Sequence, residues 1–250
     1  MSLVDAILIA LAGIGAGCIN TIVGSGTLVT FPTLLALGYS PVVANVSNTV
    51  GLAPGGLSGV FGYRRELAGQ HRRLLRLGVA SLLGGMTGAV LLVTLPSAAF
   101  EAIVPILIGV GCVLVVVQPW VARRVRDRPD QDRPHGSATM WALIMLAGVY
   151  GGYFGAGQGV LLLGIMGIAL DEDLQRINAV KNVLATLVNA VAAVLFVLIA
   201  EVSWGVAGLI AAGSLVGGWI GATIGRRLPA VVFRGLIVVI GVLAIWRLLA

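Results

Sequence analysis

The stretch VGSGTLVTFPTLLALG, Val23–Gly38, places two glycines and a serine directly before a short apolar run. A helix needs roughly 20 apolar residues to cross a bilayer, so the run 27–38 is too short to do so alone. The apolar segment before it, 3–23, is long enough. The glycines therefore interrupt a hydrophobic segment and leave a half-length piece behind them. A second interruption, FGAGQG at Phe154–Gly159, precedes another short run, 159–170. Gly24 and Gly26 match Gly155 and Gly157. Farther on, Asn45 matches Asn178, Asn48 falls opposite Lys181 and Thr49 opposite Asn182. This recurrence predicts an internal repeat.

Outward from the two breaks, the remaining apolar segments are 42–63, 77–95, 99–121, 139–156, 178–199, 204–225 and 230–249. Arginines cluster in RRELAGQHRRLLR (64–76) and RRVRDRPDQDRPH (123–135), and Arg226 and Arg227 form a third basic site. Basic loops beside spans stay in the cytoplasm. With these three sites inside, TLPSAAFE (94–101) and EVSW (201–204) fall outside, as do both termini. The two halves are then upside down relative to each other. The fold expected is all-α and polytopic: a first transmembrane repeat over 1–121, a basic cytoplasmic linker over 122–138 and a second repeat over 139–250. Each repeat is a broken hairpin followed by three transmembrane helices.

Composition agrees with a membrane protein. Of 250 residues, 58% are hydrophobic and 10% charged, with a mean hydropathy of +1.04, too apolar for a soluble core of this size. The long uncharged segments favour helices over a membrane barrel. The sequence pI near 10.1 comes from the loop arginines and does not imply nucleic acid. Cys18 and Cys112 lie in apolar segments and suggest neither a disulfide nor a metal site. His71 and His135 fall in the arginine-rich stretches, where solvent would reach them. The first segment lacks a basic leader and is expected to remain in the protein. No catalytic cluster, P-loop or cofactor motif is visible, so an enzyme is not expected.

A broken helix exposes backbone N–H groups at the start of its next piece. Together with the positive end of the helix dipole, these can hold an anion. Inverted repeats with glycine-interrupted segments are a pointer to a transporter's midplane site. The expected lining is Asn20, Thr21, Gly24, Ser25, Gly26 and Thr27 from one half, with Gly155, Gly157, Gln158 and Gly159 from the other. The helix after each break adds Asn45, Ser47, Asn48 and Thr49, then Asn178, Lys181, Asn182 and Asn189. Plainer roles compete: glycines in spans serve close packing, hydroxyls bond their own backbone, and Lys181 could snorkel to the cytoplasmic edge. The run DEDLQR, Asp171–Arg176, reads as a solvated loop with Asp173 capping the next helix.

The segments INTIVGSGTLVTFPTLLALGYSPVVANVSNTVGLAPGGLSGVFGYRREL (Ile19–Leu67) and GVYGGYFGAGQGVLLLGIMGIALDEDLQRINAVKNVLATLVN (Gly148–Asn189) resemble the two signature regions of the sulfite exporter TauE/SafE family. The resemblance implies a multi-pass permease of the bacterial inner membrane that exports sulfite or a related sulfur-containing anion such as sulfoacetate. It also implies that residues 24–27 and 155–159, Asn45, Asn48, Asn178, Lys181 and Asn182 occupy the family's motif positions. The first glycine cluster departs from the family's commoner glycine-glycine pattern at Ser25 and Thr27, whose hydroxyls could tune which oxyanion is accepted. The expected partners are a small anionic substrate and the lipid bilayer, with no cofactor, metal or nucleic acid. A channel or importer for another small solute is the alternative. Substrate, direction, ion coupling and oligomeric state are left open, as is whether the short segments cross or re-enter.

Overall fold

A computed structural model describes residues 1–126, 137–223 and 230–249. Its described residues form helices joined by turns: α1 (Leu3–Ile22), α2 (Thr27–Ala36), α3 (Pro41–Gly62), α4 (His71–Thr94), α5 (Ser97–Arg126), α6 (Ala138–Tyr153), α7 (Gln158–Ala169), α8 (Leu174–Ile199), α9 (Trp204–Thr223) and α10 (Ala230–Leu249). Among the described residues, five helices are long and apolar enough to cross a membrane: α1, α4, α5, α8 and α9. Helix α3 has the length, 22 residues, but its polar run Asn45–Thr49 lowers its hydropathy. Large apolar side chains such as Leu11, Leu83, Leu146 and Trp219 are exposed on the outer surface, as a lipid-facing wall requires.

The helix starts follow local chemistry. Ser2 caps α1 in a reciprocal capping box with Asp5, and the Ser137 hydroxyl accepts from the Met140 N–H at the start of α6. Pro41 opens α3, where its missing N–H costs nothing. Asp173 caps α8 as expected, accepting from the Gln175 N–H at 2.8 Å.

Two boundaries differ from the sequence expectation. The stretch 64–76 is a loop only as far as Gln70, because α4 begins at His71 and takes in Arg72, Arg73 and Arg76. Arginine is a good helix former, and Gly69, at φ +78°, turns the chain just before. His71 is exposed there, but Arg73 is buried. Likewise α5 runs on to Arg126, through the start of the expected linker. His135 and the Arg226–Arg227 pair lie outside the described residues.

The run 171–176 is less solvated than expected. Helix α8 begins within it, and Glu172 accepts from Arg73 at 3.0 Å and from Arg176 at 2.7 Å. Burial pushes the Glu172 carboxyl up, but the hydrogen bonds and charges of the two arginines outweigh this and hold it below the ordinary carboxylate range.

Helix directions follow from the contacts. Along α1 and α9, Gly13 lies against Ile210 and Gly213, Gly17 against Ser214 and Gly218, and Gly221 against Cys18 and Thr21, so the two helices run parallel. Helix α3 runs the same way, with Gly51 on Ile210, Gly55 on Ser214 and Gly62 on Ala222. Helices α4 and α6 are also parallel, Gly84 facing Met145 to Val149 and Gly88 facing Val149 to Tyr153. Helix α8 follows α4, since Gly78 meets Leu187 and Gly85 meets Val188 and Val191. Helices α3 and α8, in contrast, are antiparallel. Tyr63 beyond the end of α3 packs with Ala179 near the start of α8. At the other end, the Ser47 hydroxyl accepts from the Ser203 N–H beyond the end of α8 at 2.9 Å.

Candidate functional site

Both breaks reverse the chain. Gly24, at φ +87°, supplies a backbone shape that L residues rarely adopt. A Cβ on Gly26 would overlap α1 at Ala16 and Asn20, so α2 turns back along α1 instead of continuing across. In the second half Gly155 and Gly157, both at φ +81°, make the corresponding turn. Val29 also approaches Gly15, and the Gln158 side chain folds against Gly151. Each short helix is thus the returning arm of a hairpin.

The two turns meet backbone to backbone. The Gly159 N–H donates to the Gly24 carbonyl at 3.1 Å, and a Cβ on either glycine would overlap the other. Around this contact the expected site residues gather in the interior. Thr21, Gly24, Ser25, Gly26, Thr27, Asn45, Asn48, Thr49, Gly157, Gln158, Gly159, Asn178, Lys181 and Asn182 are buried, while Asn20 and Gly155 are half-buried.

The carbonyl end of α1 is held from the opposite half. Lys181 is 0% exposed, and its Nζ donates to the Asn20 and Thr21 carbonyls, each at 3.2 Å. Asn178 Nδ2 donates to the Thr21 carbonyl at 3.4 Å. A cation at a helix C-terminus meets both its free carbonyls and the negative end of its dipole. Lys181 therefore does not snorkel. The carbonyl end of α6 receives Asn45, whose Nδ2 donates to Tyr153 at 3.0 Å. Asn48 stays within its own half, accepting from the Thr30 hydroxyl and donating to Thr27 Oγ1 at 3.3 Å.

The structure departs from the expected anion cradle in one respect. Several first-turn donors already have partners: Gln158 donates to Gly155, Gly159 to Gly24, Val160 and Leu161 to Gly157, Leu28 to Ser25, and Val29 to Gly26. What stays unpartnered is side-chain chemistry. Ser25 Oγ, Gln158 Nε2, Asn182 Nδ2, Asn45 Oδ1 and Asn178 Oδ1 are buried without a hydrogen-bond partner. Orphaned polar atoms in an apolar interior are costly, at about 1–3 kcal/mol each. Ser25 and Gln158 belong to the turns themselves, and Asn45 and Asn178 each bond a carbonyl beside one of them. Two crevices lie elsewhere. One of about 430 Å³ is bounded by Pro32, Tyr39 and Leu243, another of about 460 Å³ by Leu114, Met140 and Ile165. Neither includes an expected site residue.

Thr30 and Gln118 were not anticipated. Thr30 repeats Thr27 at i+3, a spacing that places both hydroxyls on one helix face. Gln118 Nε2 reaches the Val23 carbonyl at 3.5 Å, and an amide near the end of the apolar run 99–121 was its only signal. Ser47 turns to the Ser203 loop rather than to the break. Asn189 is half-buried, two turns beyond Asn182.

Comparison with known proteins relates the chain to membrane transporters. The family model described as sulfite exporter TauE/SafE matches residues 9–248. A "Probable membrane transporter protein" of Haemophilus influenzae is 27% identical over 230 residues, covering 91% of this chain and 88% of the relative. "Probable membrane transporter protein YfcA" of Escherichia coli K12 is 28% identical over 216 residues, covering 85% and 76%. "Probable membrane transporter protein ORF9" of a Sinorhizobium species is 26% identical over 236 residues, covering 94% and 88%.

Proposed function

This chain belongs to the sulfite exporter TauE/SafE family and is a multi-pass membrane transporter, and on that premise we propose that it exports sulfite or a related sulfur-containing anion, such as an organosulfonate, across the bacterial inner membrane. The single observation that carries the reading is the meeting of the two glycine turns amid buried, unpartnered Ser25, Gln158 and Asn182 donors, with the Lys181 ammonium on the neighbouring helix end.

The two halves act as inverted repeats in this reading. Supporting it are the antiparallel course of α3 and α8 and the matching sets α1, α3, α9 and α6, α8, α4. The arginines whose side chains are described, Arg64, Arg65, Arg72, Arg73, Arg76 and Arg176, stand where α3 ends and α4 and α8 begin. That end faces the cytoplasm. Glu101 and Glu201 stand at the other.

An anion reaches the centre when the two turns separate. This frees the Gly159 N–H and opens the orphaned side chains to the solute, and Lys181 supplies a buried positive charge beside them. Access then alternates between the two sides. Export of an anion from a cell with a negative interior gains about 2.3 kcal/mol per charge per 100 mV, so uniport suffices. The test is efflux from proteoliposomes across sulfite, sulfoacetate, sulfate, phosphate and a neutral solute. Saturable efflux of sulfite or a sulfonate, exceeding phosphate at least tenfold, is expected. Equal passage of all solutes, or none of the anions, refutes the assignment.

A further inference from the structure

We infer that the bodies which move against each other are not the two sequence halves: α1, α2 and α3 travel with α9, and α6, α7 and α8 travel with α4. This rests on the transport reading above for its purpose, but its basis is packing. Among the described residues, the most extensive helix interfaces join opposite halves. On α1 and α9, a Cβ at Gly17 would overlap the Ser214 carbonyl, and one at Gly217 would lie 2.8 Å from the Ile14 carbonyl carbon. On α4 and α6, a Cβ at Gly84 would lie 2.9 Å from both Gly148 Cα and the Val149 nitrogen, and one at Gly88 2.7 Å from the Tyr153 nitrogen. These are parallel helices packed backbone on backbone through small residues at four-residue intervals.

Such an interface does not slide. Shifting either helix by a fraction of a turn drives carbonyls into α-carbons, so each pair behaves as one solid piece. Helix α3 is joined to the first piece by mixed contacts, Gly51 meeting the Ile210 side chain and the Ala207 carbonyl and Gly55 the Ser214 side chain and carbonyl.

The contacts between the two pieces are sparser. Helices α3 and α8 cross with Gly56 against the Thr186 side chain. The glycine turns meet backbone to backbone at one point, Gly24 against Gly159 with a single hydrogen bond, and Lys181, Asn178 and Asn45 bridge by single side chains. Side-chain bridges can be exchanged, and a side chain against a glycine can turn. That is where shear is accommodated.

Within 1–94 and 138–223 the chain passes between the pieces at 63–70 and at 200–203 only. Those connectors lie at opposite ends of the antiparallel pair α3 and α8. Two short connectors at opposite ends suit a rocking motion about that pair. Helices α5 and α10 pack on each other and are left outside the two bodies.

The assignment is tested with exposed, lipid-facing positions in a Cys18→Ala/Cys112→Ala background. Leu11 on α1 is 58% exposed, Leu215 on α9 43% and Leu83 on α4 41%. Spin-label pairs Leu11→Cys/Leu215→Cys (opposite halves, one body) and Leu11→Cys/Leu83→Cys (one half, two bodies) are measured in nanodiscs with and without sulfite. The expected result is a narrow, unchanged distance for the first pair and a shifted or two-component distance for the second. The reverse pattern, or two invariant narrow distances, overturns the assignment.

A flux experiment separates this failure from failure of the transport reading. A Gly56→Cys/Thr186→Cys disulfide across α3 and α8 is expected to lower sulfite efflux at least tenfold, reversibly with reductant. A short bismaleimide linking Leu11→Cys to Leu215→Cys leaves at least half. Loss of efflux on linking α1 to α9 contradicts the two-body assignment. Absence of efflux from the unlinked protein contradicts the transport reading and leaves the distance measurement to decide the bodies.

Discussion

The first glycine turn and the second stand at matching places, yet they are held differently. The carbonyl end of α1 receives two hydrogen bonds from Lys181 and one from Asn178. The carbonyl end of α6 receives one from Asn45, and aromatic rings crowd beside it, with Phe154 5.1 Å from Phe31 and Tyr153 5.5 Å from Phe100. Position 48, opposite Lys181 in the repeat, carries an asparagine that bonds Thr27 and Thr30 of its own half. In the proposed repeat, the difference between Asn48 and Lys181 thus leaves only the first turn with a charge beside it. On the proposal of anion transport, a single ammonium beside two uncharged turns would draw in a negative solute without trapping it through a second cation.

The harshest way to break this comparison is at the backbone. Gly24→Ala meets both an unfavourable φ and the Gly159 backbone, costing about 1–3 kcal/mol in strain and a similar amount in overpacking. Loss of efflux and a lowered unfolding midpoint are expected. Gly155→Ala has the same φ penalty but more room, its nearest neighbour being the Gly151 carbonyl oxygen at 3.0 Å, and is expected to be the milder of the two.

Charge comes next. Lys181→Gln is expected to reduce sulfite efflux roughly tenfold or more while the protein still purifies as a folded species, because a charged hydrogen bond contributes about 1.5–3 kcal/mol. Asn48→Ala and Asn182→Ala should each cost only a few-fold. Full efflux from Lys181→Gln would leave that residue as a helix cap and nothing more.

A smaller effect separates the two carbonyl ends by stability. Asn45→Ala removes the single cross-half bond to Tyr153 and is expected to cost about 1 kcal/mol. Asn178→Ala should cost less, since Lys181 remains on the Thr21 carbonyl. Equal losses in thermal unfolding would mean that the two ends are held alike.

The smallest effect concerns the Glu172 pairs with Arg73 and Arg176. Because the folded carboxyl titrates below its unfolded value, its contribution is present above the unfolded value, near ~4.3. It is lost as pH falls through the lowered folded value. Glu172→Gln should flatten this acid-side loss by up to about 1 kcal/mol, read from unfolding midpoints as pH is lowered from neutral to about 3.

Much of the fold was legible because glycine and chain length speak locally. The breaks at 23–26 and 154–157 and the short segments behind them follow from residue type and run length alone. The start of α4 was missed because arginines were read as loop, when helix propensity and the turn at Gly69 favour helix from His71 onward. At the site, the residue types were readable but their partners were not. Nothing in the run INAVKN, Ile177–Asn182, says that Lys181 faces carbonyls of the other half. Nor does the spacing of Gly13, Gly17, Gly213 and Gly217 say that they face one another. Pairings between distant helices are set by the packing of the whole bundle. The opening of the site is a property of a conformation, which residue types alone do not specify.

The most direct measurement places a thiol at the meeting of the turns. Ser25→Cys in the Cys18→Ala/Cys112→Ala background, reconstituted in vesicles, is treated with a small membrane-impermeant thiol reagent from one side and then the other. The account predicts slow modification from both sides, with saturating sulfite slowing it about tenfold or more. A thiol that no reagent reaches from either side, or one modified equally fast with and without sulfite, would contradict a substrate path through the paired turns.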